Sequence, residues 1–129
     1  MENRKDITDL TDIQSMVDTF YGKVREDELL GPIFNNLIQD RWPEHLEKMY
    51  RFWDTILLDS HTYHGAPFHP HATLPVNGLH FDRWMQLFRT TVNGLFTGPK
   101  AEEACWRGEK MAQMFLSKIE YYQGQSPLR

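Results

Sequence analysis

Three features of the 129-residue sequence predict an all-α fold. Apolar residues recur at three- and four-residue spacing over four stretches. No two segments alternate in the way a strand pair requires. One long interval, residues 59–78, is too rich in proline and histidine to be helical. The length suits a single domain, residues 1–129, with an ordered core over about 10–122 and a short frayed tail.

Composition removes several functions. At 40% hydrophobic and 25% charged the chain is too apolar for disorder and too charged for a membrane protein. No apolar run nears the roughly 20 residues of a bilayer span. Met1-Glu2-Asn3-Arg4-Lys5-Asp6 leads into no apolar signal core, so a cytoplasmic location is expected. One cysteine, Cys105, excludes an internal disulfide and a Cys-built zinc cage. Fourteen basic against eighteen acidic residues, with no basic block, argue against a nucleic-acid partner.

The first helix is expected over 11–27, with Ile13, Met16, Val17, Phe20 and Val24 as its stripe and Asp9 or Thr11 as its cap. Gly31-Pro32 then predicts a turn, leaving Phe34 as an apolar residue with no helix of its own. Pro43 suits the first turn of a second helix, whose period is carried by Trp42, Leu46, Met49, Trp53, Ile56 and Leu57. His45 shares the 45-49-52-56 stripe with Met49, Phe52 and Ile56, placing a titratable ring on an apolar face. The third helix, 79–96, carries Phe81, Trp84, Phe88, Val92 and Leu95. The fourth, 100–122, carries Ala104, Met111, Phe115, Ile119 and Tyr122 with Cys105 beside them. Gly98-Pro99 separates these two.

A twenty-residue irregular loop in so small a domain asks for a function. It holds His61, His64, His69 and His71. No nucleophile elbow, Walker loop, dinucleotide fingerprint or His-Glu-x-x-His is present. Two metal chemistries remain open. The four loop histidines could cluster on a zinc-like ion, although no Cys or helical His pair enforces it. One of them could instead be the lone axial ligand of a haem iron, with the first three helices as walls. The haem reading also accounts for the four Trp, five Tyr and eight Phe of so short a chain. His61 and His64 are expected to be exposed rings, and Cys105 a buried inert thiol.

Phe20-Tyr21, Gly31-Pro32-Ile33-Phe34, His45-Leu46-Glu47-Lys48-Met49 with Phe52-Trp53, Tyr63-x-Gly65-x-Pro67-Phe68-x-x-His71-x-x-Leu74-Pro75, and His80-Phe81-x-x-Trp84-x-x-Leu87-Phe88 occur in order. Together, over about residues 10–120, they resemble a truncated haemoglobin, most closely its third group. Asp59-Ser60 stands where the first two groups carry paired glycines, which the third group generally lacks.

The resemblance implies a two-over-two helical sandwich around haem b. It puts the proximal iron ligand on His71 and the distal side on Tyr21, His45 and Trp84. Phe34 would pack on the porphyrin, with Met49, Phe52 and Trp53 lining the wall. It implies dioxygen and other diatomics as ligands, with a reductase keeping the iron ferrous. Oxygen carriage and dioxygenase- or peroxidase-like chemistry on nitric oxide or peroxide are both compatible with it, so enzymatic activity stays open. His80 is the rival axial ligand. It precedes Trp84 by one turn and is expected to be a rim residue or part of a helix start. A helical non-haem metal protein and a cofactor-free helical module are the alternative classes.

Overall fold

The apolar stripes find their partners in two helix pairs. In this computed structural model, which describes residues 4–65 and 74–124, the helices are α1 (Leu10–Glu26), α2 (Gly31–Ile38), α3 (Trp42–Leu58), α4 (Gly78–Leu95) and α5 (Pro99–Gly124). Helix α1 packs against α2, α3 and α4, α4 lies along α5, and α3 also meets α5. The result is α1 and α3 laid over α4 and α5. Phe20, Met16 and Val24 of α1 and Phe88 and Val92 of α4 are almost wholly buried at the centre. Among the described residues the one β-type pairing is a bridge between Lys5 and Phe96, and no helix is long and apolar enough to cross a membrane.

The four expected helices form within a residue or two of the anticipated limits. Asp9 is the cap of α1, its carboxylate accepting from the Asp12 N–H at 3.0 Å. The segment after α1 differs from expectation. Gly31-Pro32 begins a helix instead of simply turning the chain, and Phe34 belongs to it. A proline near the first helical position needs no N–H donor there, so it starts helices as readily as it breaks them. Asp27 helps by accepting from Leu29 and Leu30 N–H, both at 3.0 Å, just ahead of α2. Tyr122 also departs from its predicted place in the core: it is 54% exposed near the end of α5.

Polar ties lock the pairs together. The Tyr50 phenol of α3 donates to Asp18 of α1, and burial together with that carboxylate pushes its pKa up to about 12. Arg83 of α4 donates to Asp27 at 3.0 Å, joining α4 to the α1–α2 corner. Asp6 reaches across the chain to accept from Lys100 and Ala101 N–H, both at 2.9 Å, and so caps α5 from outside. Gly98 lets it approach: with φ at +135°, it would carry a Cβ only 2.5 Å from the Asp6 Cγ.

Candidate functional site

Tyr21 follows Phe20 on α1 and turns off the main stripe towards α2 and α3. Its ring is buried and stands edge-on to the His45 imidazole, centroids 5.1 Å apart at 88°. Trp42 closes the group at 5.8 Å from Tyr21 and 5.7 Å from His45, and Phe34 of α2 lies 6.4 Å from Tyr21. The Nε2 atom of His45 is shielded from solvent although the residue as a whole is half-buried. Burial drives the Tyr21 pKa above the usual phenol value, which is itself well above physiological pH, so the hydroxyl carries its proton there. A protonated phenol and an imidazole thus share one low-dielectric corner.

Trp84 joins this corner through Phe20. Its indole meets Phe20 edge-on at 5.2 Å, and Phe20 meets Tyr21 at 4.9 Å. On its other side Trp84 stacks on Phe88 at 5.3 Å and 7°, and Trp53 stacks on Phe88 at 4.9 Å. Tyr21 and His45 are therefore in direct ring contact, and Trp84 stands one ring away. Phe52 packs edge-on to Trp53 at 5.4 Å and to Tyr63 at 5.3 Å.

The start of the irregular segment is held. Thr55 of α3 accepts from both the Thr62 and the Tyr63 N–H at 3.0 Å, folding the chain back along the last turn of its helix. His69 and His71, and with them the predicted proximal ligand, lie outside the described residues. Of the other loop histidines, His61 and His64 are exposed, as expected, with His61 Nε2 3.0 Å from Asp59 Oδ1. Among the described residues no three His, Cys, Asp or Glu side chains gather as a metal cluster. His80 has a structural task. Its Nδ1 accepts from the Asn77 N–H at 3.1 Å while the Asn77 side chain caps the start of α4. Cys105 is buried, and burial raises its thiol pKa.

The residues fit a flat apolar cofactor. Phe34, Met49, Ile56, Tyr63, Trp84 and Met85 border the core yet stay only half-buried, leaving apolar surface on α2, α3, α4 and the loop start that is not fully covered among the described residues. The resemblance implies Phe34, Met49, Phe52 and Trp53 as wall residues; it does not single out Trp42, which registers in the sequence only as one more periodic apolar position. Trp42 opens α3 one turn before His45, and that spacing was its available signal.

Helix pairs crossing in this manner, with an aromatic corner bearing phenol and imidazole, define a globin of the shortened type. The chain belongs to the bacterial-like globin family, whose model matches residues 7–116, and within it to the group III truncated haemoglobins. It is 34% identical over 116 residues to the group 3 truncated hemoglobin ctb of Campylobacter jejuni, covering 87% of this chain and 91% of that protein. The crystal structure of a group III truncated hemoglobin from Campylobacter jejuni superposes with a TM-score of 0.82 at 31% identity, over 90% of this chain and 94% of that one. Globin membership implies a haem cofactor and small diatomic ligands.

Proposed function

We propose that the whole chain is one globin domain that holds haem b through His71 and reversibly binds dioxygen and related diatomics. The observation carrying this reading is the buried edge contact between the Tyr21 phenol and the His45 imidazole beside half-covered apolar surface. Bound haem, held through His71, would supply an iron centre able to take up a diatomic gas. The rest is protein chemistry. Tyr21 carries its O–H at physiological pH, burial further opposing ionisation, so it would offer a donor to the partial negative charge a polarised dioxygen carries. Trp84 offers an indole N–H from the neighbouring helix. His45, packed against Tyr21, orients the phenol and excludes water. Phe34, Met49, Phe52 and Trp53 wall the cofactor and lower the local dielectric, which strengthens each donor.

A charge-assisted hydrogen bond of this kind is worth about 1.5–3 kcal/mol. Two such donors favour slow release, which suits redox chemistry on nitric oxide or peroxide in the cytoplasm, with a reductase as partner, better than delivery of oxygen. The test is direct. Purified protein should show a haem Soret band that shifts reversibly with dioxygen after reduction. A colourless protein that takes up no added haem would sink the proposal, and bound zinc in that protein would favour the loop-histidine metal site instead.

A further inference from the structure

The outer face of α3 bears on how a small ligand reaches Tyr21 and His45, a question that rests on the haem reading proposed above. A cleft of about 600 Å³ lies between the end of α1, the α2–α3 link and α3, lined by Arg25, Gln39, Asp40, Trp42, Leu46 and Tyr50. Trp42, Leu46 and Tyr50 follow at four-residue steps, so they form one stripe along the helix. Trp42 is the residue common to the cleft and the inner corner. It lines the cleft while its ring touches both Tyr21 and His45. Trp42 thus stands between the cleft and the polar pair.

That side chain is only 5% exposed, but it stands at a helix end. Trp42 is the first residue of α3, so the helix body continues without it. Besides its contacts with Tyr21 and His45, it meets Arg25, whose guanidinium lies over the indole at 4.5 Å from the ring centroid. The Arg25 backbone is fixed, its carbonyl accepting from Asn35 Nδ2 at 3.1 Å, but the side chain is exposed. An exposed arginine on a flexible stem is a weak clamp.

We infer that Trp42 is a door through which uncharged diatomic ligands pass from the cleft to the Tyr21–His45 corner, and that Arg25 is its latch. Rotation of the indole into the cleft gives up an edge contact with His45, a tilted contact with Tyr21 and one cation–π contact. The opening is no wider than an indole, so it passes diatomics and delays bulkier molecules.

The experiment is flash photolysis of carbon monoxide from the haem-loaded protein, with Arg25→Ala, Trp42→Ala and Leu46→Trp. Arg25→Ala should speed bimolecular association by about two- to fivefold, the ratio an exposed cation–π contact represents. Trp42→Ala should speed it further and extend the gain to alkyl isocyanides. Leu46→Trp fills the cleft from outside and should slow entry. A door that does not bind the ligand changes entry and escape by the same factor, leaving the equilibrium constant unmoved. A loosened pocket changes that constant. In the carbon monoxide-loaded protein, NMR should also show the Tyr21 hydroxyl proton exchanging faster with water in Arg25→Ala. Unchanged association in Arg25→Ala and Leu46→Trp, in protein that binds haem and carbon monoxide normally, overturns the door. Failure to bind haem at all overturns the underlying reading instead.

Discussion

Gly108 of α5 meets the edge of the Phe88 ring so closely that a Cβ there would lie 3.2 Å from its Cε2, with Trp84 Cζ3 at 3.7 Å. The missing side chain lets α5 close on the stacked pair. Alanine would gain about 1 kcal/mol of helix propensity. Phe88 cannot give way, since Trp53, Trp84 and Phe20 surround it within 5.3 Å, and overpacking costs about 1–3 kcal/mol. Gly108→Ala should therefore lower stability by about 1 kcal/mol in denaturant unfolding. Gly94 of α4 has open space around its Cβ position, so Gly94→Ala should stabilise. Equal shifts in both variants would show that the aromatic stack yields freely.

On the proposed reading, Tyr21→Phe keeps the ring among Phe20, Phe34, Trp42 and His45 and removes only the hydroxyl. Dioxygen release should speed by about ten- to a hundredfold. Carbon monoxide carries less charge when bound and should be released at nearly its original rate. Trp84→Phe should act in the same direction, with a packing loss added. Equal acceleration for both gases in Tyr21→Phe makes the phenol a packing residue.

The two candidate axial histidines separate by substitution. His71→Ala should abolish stable haem retention or leave it dependent on added imidazole. His80→Ala should keep the haem spectrum and lose about 1 kcal/mol of stability, the scale of a helix-cap contact, because its Nδ1 serves Asn77. Haem loss in His80→Ala with retention in His71→Ala reverses the assignment.

Asp6 sets an acid limit on the fold. Burial raises its pKa, but N–H donation from Lys100, Ala101 and Ile7 outweighs this, so the folded value lies below the ordinary 3.8. A carboxyl with a depressed folded pKa adds stability above its unfolded pKa and loses it as pH falls through the folded one. Asp6→Ala should cost about 0.5–2 kcal/mol near pH 7, the range for a lost helix cap. The difference from the parent protein should shrink below about pH 4, read from urea midpoints across pH. A difference that stays constant to pH 2 would remove the carboxylate from the account.

The elements legible in the sequence were those whose cause is local. Ile13, Met16, Val17, Phe20 and Val24 are all buried because a 3.6-residue period puts them on one face whatever lies opposite. The cap at Asp9 reads from its neighbours. The α2 helix did not, since Gly31-Pro32 supports a turn or a helix start, and Asp27 decides between them from outside the motif. Asp6 with Ala101, and Arg83 with Asp27, pair across 95 and 56 positions, where no spacing rule reaches. Within the candidate site, Tyr21 and His45 were named together and do touch. The role of Trp42 was hidden because an indole at a periodic apolar position looks like any core residue until its two faces are seen.

The Thr55 hydroxyl bears on what assembling a cofactor pocket costs in entropy. By accepting from the Thr62 and Tyr63 N–H groups, it orders the chain leading out of α3 as part of folding. Fixing a backbone costs about 1–2 kcal/mol per residue. For Ser60 through Tyr63 that loss is already sustained by the folded chain, so it does not fall on cofactor capture. Thr55 is thereby a preorganising residue, and what it contributes to haem affinity would come through the state of the protein before haem arrives.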